Sequence, residues 1–382
     1  MSGKKIVILG GGFGGVASAL TARKLLGREH SITLVDRSKR TYLCGSFPLL
    51  IVGERKPEKV SRSLGTMVNR GVEYRQARVE AIDTTNRIVI TDSGVLEYDY
   101  LVVALGASYD WDDVPGSASA YSFYGISEAR RLRDKLRYFK KGLILISVSS
   151  TPYKCPPAPY EAAMVLDWAF KERGIRDQID IKVFTPEPAT VPVAGPESGK
   201  RLNKILVKKG IELHAGVSVA EISHDGREAG LSNGQSVDAE LIVTIPTHRV
   251  SEVAVNSGLA NGNGWIEASS NTLETATAGV YAVGDINSVP MATGKPLPKA
   301  GVFASAEGQT VGANIAAEIN ETEPVNFPGT GYCFIAYSGT QAGMIKGNFL
   351  AKNKPIVALK TGTARGFKAK ERFERDWRRF RI

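Results

Sequence analysis

Cys155 stands between Lys154 and Pro156, with Pro157 and Pro159 close behind, where an apolar strand at residues 143–148 gives way to a helix expected to begin near Pro159. A positive neighbour and a helix N-terminus both favour the thiolate, the form of cysteine that attacks and is oxidised. Reactive sulfur chemistry is expected here rather than an inert core thiol. A second group of residues suits phosphate. Gly10, Gly12 and Gly15 form GxGxxG directly after the apolar run 5–9, and Asp36 ends the next strand 21 residues after the last glycine. At that spacing the glycines allow a tight turn and a close approach of backbone to pyrophosphate. A helix N-terminus receives the negative charge and the acid bonds a ribose hydroxyl. The chain should hold a dinucleotide.

The strand before Cys155 opens a second unit of the same kind, yet the sequence after it, SSTPYKCPPAPYE over residues 149–161, contains no glycine. Proline offers no N–H to a pyrophosphate, and side chains fill the space that the backbone would need. A pyridine nucleotide is not expected there. A cysteine has taken the position instead.

These groups need elements to carry them. Strands are read at 5–9, 31–35, 98–104, 142–148, 179–184, 241–245 and 279–283, and helices near 16–26, 127–139, 160–173, 199–208 and 300–319. The alternation makes the class α/β, with two Rossmann-like dinucleotide-binding domains plus a C-terminal region. A chain of 382 residues leads us to expect two or three domains. No run approaches the ~20 apolar residues of a membrane span. Three cysteines are too few for a disulfide-stapled secreted scaffold, and the first strand follows Met1 too closely for a signal peptide, so a cytoplasmic site is expected. The net charge is +10, and residues 351–382 carry +8 of it with eleven Lys/Arg against three Asp/Glu. A basic tail on a nearly neutral body seeks phosphate, and anionic lipid is the expected source, with no nucleic acid and no metal.

Residues 100–107 (YLVVALGA) and 279–285 (GVYAVGD) are strands ending in small-residue turns that resemble the FAD-contacting segments of flavoproteins with two dinucleotide-binding domains. That resemblance implies FAD held by Gly10, Gly12, Gly15, Asp36, Gly106, Gly284 and Asp285. CPPAPYE, GYCF at 331–334, and Pro298-Lys299 before a long helix narrow it further. Over essentially its whole length the chain resembles the sulfide:quinone oxidoreductase and flavocytochrome c sulfide dehydrogenase family. The resemblance implies that Cys155 and Cys333 form a redox disulfide pair with Cys333 nearer the flavin, that Glu161 handles protons, and that Lys299 lies close to the flavin ring. The expected division is 1–110 with 255–325 for FAD, 111–254 for a second Rossmann-like domain lacking the nicotinamide glycines, and 326–382 for the C-terminal region.

One departure concerns the third cysteine. Such enzymes often carry it in the stretch corresponding to 122–127, which here reads SFYGIS, whereas this chain has Cys44 in TYLCGSF. In the flavocytochrome c branch a cysteine in this neighbourhood bonds covalently to FAD, so Cys44 is a candidate for that linkage. A redox-active cysteine, as the resemblance to single-cysteine disulfide reductases would imply, and an unreactive thiol are the alternatives.

The function implied is oxidation of sulfide with electrons passed to a membrane quinone, giving polysulfide or zero-valent sulfur. Tyr332, Phe334, Tyr337 and Phe349 are candidates for an apolar quinone slot. The alternatives are a flavocytochrome c-type sulfide dehydrogenase subunit, an NADH-linked flavoprotein such as a type II NADH dehydrogenase or CoA-disulfide reductase, and a non-catalytic flavin-binding module at a membrane. Residues 366–380 should form a basic helix with Phe373, Trp377 and Phe380 on one stripe and Lys370, Arg372, Arg375, Arg378 and Arg379 around it. It is expected to dock the protein peripherally on the anionic inner face of the cell membrane, unless the stripe packs on the protein's own body.

Overall fold

The structure, a computed structural model, describes residues 3–260 and 264–381. β1 (Lys5–Leu9), α1 (Phe13–Leu25), β2 (Ser31–Asp36), β3 (Glu73–Gln76) and β4 (Tyr100–Val103) open the chain. α2 (Ile126–Tyr138), β5 (Gly142–Val148), α3 (Ala158–Glu172), β6 (Ile179–Thr185), α4 (Pro196–Lys208), β7 (Ile211–Ala215) and β8 (Leu241–Ile245) follow. β9 (Val280–Ala282), α5 (Gly301–Ile319), β10 (Thr330–Ala336), β11 (Ala342–Asn348), β12 (Ile356–Thr363) and α6 (Ala364–Arg378) complete the set that positions the site.

Two parallel sheets carry the two halves. The first runs β9-β4-β1-β2-β3 and so takes its outer strand from late in the chain. The second runs β7-β6-β5-β8. Their inner strands are buried without alternation because both faces are covered, as in Ile6–Leu9 and residues 144–148. In such sheets the crevice beyond the C-terminal ends of the strands is where ligands bind. α5 lies directly on α1, and glycine permits the approach: a Cβ at Gly308 would stand 2.2 Å from the Gly14 oxygen. β10, β11 and β12 form an antiparallel meander that brings Cys333 back toward the first two sheets.

α6 begins at Thr363, whose hydroxyl accepts the Gly366 N–H at 2.9 Å. The helix of the basic tail is therefore present, but its aromatic stripe does not face outward. Trp377 is fully buried with its ring centre 6.0 Å from that of Phe13. The Arg62 guanidinium lies 4.3 Å over Trp377 and 3.9 Å over Phe380, and also donates to the Trp377 carbonyl. Phe373 meets Tyr332 and Phe334. Packing on its own body buries the stripe and gains cation–π contact with no cost of association, which is why the outward stripe expected for membrane docking is not found. Among the described residues no helix is long and apolar enough to cross a membrane.

Candidate active site

β1, α1, β4, the turn after β9 and the start of α5 surround a cavity of about 370 Å³. Gly10 has φ +103° and passes so close to the end of β4 that a Cβ would stand 2.3 Å from the Ala104 oxygen. Gly12, at the N-cap of α1, faces open space and lines the cavity. Gly15 does not line it; a Cβ there would meet the Gly10 oxygen at 1.9 Å, so this glycine closes helix onto strand. Asp36 accepts N–H bonds from Gly11 and Ser38, both at 2.7 Å, which fix its carboxylate at the cavity wall. Gly106, Gly284 and Asp285 complete this part of the lining. A glycine floor, a helix N-terminus and a fixed acid together fit a dinucleotide.

All three cysteines reach the same cavity as free, half-buried thiols. Cys155 and Cys333 interact directly. Cys155 has a left-handed backbone, φ +57°, and its N–H donates to the Lys299 carbonyl at 2.7 Å. Such a conformation costs a non-glycine residue about 1–2 kcal/mol. The hydrogen bond that the Cys155 thiol makes to Cys333, then burial and the charges of Cys333 and Glu161, hold this thiol well above its ordinary range, while Lys370 pulls it down. The expected thiolate at Cys155 is therefore not favoured. Lys154 does not supply it, because its ammonium lies 4.9 Å from the Tyr109 ring centre and 5.7 Å from that of Tyr124, and interacts with Cys44 and Asp285.

Glu161, in the first turn of α3, is buried against the pair. Its Oε1 accepts the Ala336 N–H at 3.0 Å and lies 3.4 Å from the ammonium of Lys370, on α6. Burial pushes the carboxyl up, with Lys370 and the Ala336 N–H opposing. Burial alone would lower Lys370, but Glu161, Glu374 and the two cysteines carry it above its ordinary value. Lys370 also donates to the Gly45 carbonyl at 2.8 Å, and Glu374 bonds the Ser46 hydroxyl and the Arg55 guanidinium, both at 2.7 Å. The sulfur site thus contains a buried acid and base that can hold or move a proton. Lys299 is buried too, and burial lowers it to about 8 despite Asp285 and Glu307 nearby. Its ammonium donates to the carbonyls of Asp285, at 2.7 Å, and Asn287, at 3.1 Å.

The expected aromatic slot is only half present. Tyr332 and Phe334 line the cavity together with Phe373 of α6. Tyr337 does not, because it packs inside the C-terminal sheet beneath Gly343 and Gly362. Phe349 is also displaced: it stands edge-on to Phe303 at 4.9 Å and borders a separate small apolar cavity. Lys370 and Phe373 are site residues that sequence reasoning placed on a membrane-facing helix. A signal existed, since Phe367, Lys370, Glu374 and Trp377 recur at helical spacing and put two opposite charges on the apolar face.

At the second sheet, Glu187 lies just past β6, much as Asp36 ends β2, but its carboxylate is occupied. The Tyr153 hydroxyl donates to it at 2.8 Å and that of Tyr160 at 3.5 Å. Side chains from the proline segment and α3 thus fill the place comparable with a nucleotide's ribose.

Residues 4–146 and 160–308 match the family of pyridine nucleotide-disulphide oxidoreductases, and the chain belongs to that family. It is an oxidoreductase of the two-sheet fold, and the family and the cavity together make it an FAD-binding protein. The matched stretches stop on either side of 147–159, the segment that carries Cys155. The mitochondrial sulfide:quinone oxidoreductase of Mus musculus is 24% identical over 300 residues, covering 75% of this chain and 66% of its own length. The sulfide-quinone reductase of Aquifex aeolicus is 27% identical over 375 residues, covering 94% of this chain and 87% of its own length. The X-ray structure of the sulfide:quinone oxidoreductase from Aquifex aeolicus superposes with a TM-score of 0.89 at 25% identity, over 99% of this chain and 92% of that one.

Proposed function

We propose that this protein oxidises sulfide through the Cys155–Cys333 pair and passes the electrons, by way of FAD, to a membrane quinone. The observation that carries the reading is the meeting of these two cysteines, from α3's leading turn and from β10, beside a buried acid at the wall of the dinucleotide cavity. In the oxidised pair, hydrosulfide attacks the sulfur of Cys155. A new S–S bond forms there, the bridge bond breaks, and its electron pair leaves on Cys333. Cys333 is assigned the leaving thiolate because the family resemblance makes it the cysteine nearer the flavin. Glu161 takes the proton released by the hydrosulfide, and Lys370 balances the charge. FAD, when bound, supplies the two-electron acceptor. Gly10, Gly12 and the α1 N-terminus would hold its pyrophosphate, Asp36 a ribose, and Lys299 the negative charge of the reduced form. Each electron pair passed on from Cys333 to FAD and then the quinone lets the sulfur on Cys155 re-form a bridge to Cys333, one sulfur longer, which the next hydrosulfide opens; such turns would build polysulfide or zero-valent sulfur.

The division into 1–110 with 255–325, 111–254 and 326–382 belongs to this proposal, as does a quinone slot at Tyr332, Phe334 and Phe373. Exposed Arg365, Lys368, Arg372, Arg375 and Arg379 on or beside α6 would give a peripheral, non-inserting contact with the anionic inner face of a bilayer. Anaerobic titration tests the central claim: sulfide should bleach the flavin band and NADH should leave it unchanged. Bleaching by NADH alone would overturn the reading.

Cys44 is the proposed covalent anchor for FAD, because its sulfur stands in the cavity wall within the field of the Lys154 ammonium. After acid precipitation the flavin should remain with the protein, and Cys44→Ser should release it. Flavin found wholly in the supernatant of the unmodified protein would exclude the bond.

A further inference from the structure

α5 carries a buried acid that the reaction above leaves unused. Glu307 is 2% exposed, and its Oε2 accepts the Gly284 N–H at 2.5 Å and the Asn287 side-chain amide at 3.0 Å. Lys299 holds the same turn through its carbonyls, those of Asp285 and Asn287. A buried acid on the donors and a buried base on the acceptors therefore fix residues 284–287 from two directions. Gly284 and Asp285 wall the cofactor cavity, so the turn lies between Glu307 and whatever charge develops there.

The charged groups facing Glu307 are Asp285, from the turn, and Lys299, from the segment ahead of α5. α1 packs along α5 at Gly308 and Gly312 with Gly14, Ala17 and Ser18, none of which titrates. Among the described residues no cation forms an ion pair with Glu307. Burial pushes it up to about 7, against its two N–H bonds and Lys299, with Asp285 adding to the rise. Its proton occupancy is therefore sensitive to any added charge at neutral pH.

We propose that Glu307 is a positioning residue that takes up a proton when the flavin in the adjoining cavity is reduced, and so limits the negative charge gathered behind the 284–287 turn. The inference rests on the FAD reading. The donor's electron pair and one proton go to the flavin, and a second proton, from solvent, converts the Glu307 carboxylate to the acid. The protonated side chain keeps an acceptor oxygen for the Gly284 N–H, so the turn is held in both states.

The test is potentiometric titration of the holoenzyme with dithionite and mediators across pH 5 to 9 (roughly the range spanning the shifted acid and base). It does not depend on which donor the enzyme uses. In the unmodified protein the midpoint potential should fall more steeply with pH above about 7, by one extra proton per electron pair. In Glu307→Gln the extra steepness should vanish while flavin content is retained. Reduction should also produce a carboxylic-acid band in the infrared difference spectrum of the unmodified protein, absent in Glu307→Gln. Identical pH profiles in two yellow proteins, or no such band in the unmodified one, would overturn the assignment and leave the FAD reading standing. A colourless protein would overturn both.

Discussion

Cys155→Ser and Cys333→Ser are each expected to abolish flavin reduction by sulfide, by at least about a thousandfold, with FAD retained. Each cysteine supplies one half of the bridge that hydrosulfide must open, and a serine oxygen can neither form that bridge nor carry the persulfide. The change is nearly isosteric, so the left-handed turn at Cys155 and its N–H bond to Lys299 should survive. The FAD cradle should survive too, because Gly10 is packed on the end of β4 and Asp36 is held by the N–H groups of Gly11 and Ser38, contacts in which neither cysteine takes part. Two measurements separate the cases. Flavin absorbance per protein should match the unmodified enzyme, and dithionite should still bleach it, while sulfide should not. If either serine variant kept a tenth or more of the sulfide-driven rate, the paired-sulfur mechanism would be wrong.

Much of this could be read locally. The strands at 5–9, 142–148 and 241–245 begin and end where apolar runs meet their turns, because a strand buried on both faces announces itself within five to seven residues. The glycine turn was legible for the same reason, since its requirements lie within one strand, one turn and one helix. What was not legible depends on which way a side chain points after the chain has closed. Lys154 adjoins Cys155 in sequence yet turns to Tyr109 and Tyr124, so the local charge argument for a thiolate failed. Tyr337 and Phe349 shared a composition with Tyr332 and Phe334 but are buried in other directions. The helical period of the tail was correct, and its partner was left open between a membrane surface and the protein's own body. A stripe of Phe373, Trp377 and Phe380 states that something apolar will cover it, and only the Arg62 and Phe13 contacts reveal that the cover is the protein itself.

The pair that sequence missed yields the other large expected effect. Lys370→Met should destabilise the protein by about 3–5 kcal/mol near pH 8, the usual cost of leaving one member of a buried ion pair without its partner. Glu161 is 1% exposed and Lys370 is 4% exposed, so water cannot replace the lost ammonium. The sign of the pH dependence follows from Glu161. Burial already raises its carboxyl above the ordinary value while Lys370 opposes, so removing the lysine raises it further. An acid raised in the folded state adds no penalty below its unfolded pKa, and its penalty grows as pH climbs toward and through the folded value. The deficit of Lys370→Met against the unmodified protein should therefore be small near pH 5 and large near pH 8, roughly either side of that titration. Adding Glu161→Gln should recover much of the loss at the higher pH, because the double variant buries no charge at this position. Glu374 moderates the effect without reversing it, since Arg55 and Ser46 remain to hold it. Urea unfolding of the four proteins at the two pH values measures the cycle. A deficit independent of pH, with no rescue by the second substitution, would mean that Lys370 acts by filling space and bonding the Gly45 carbonyl rather than by balancing the acid beside the cysteines.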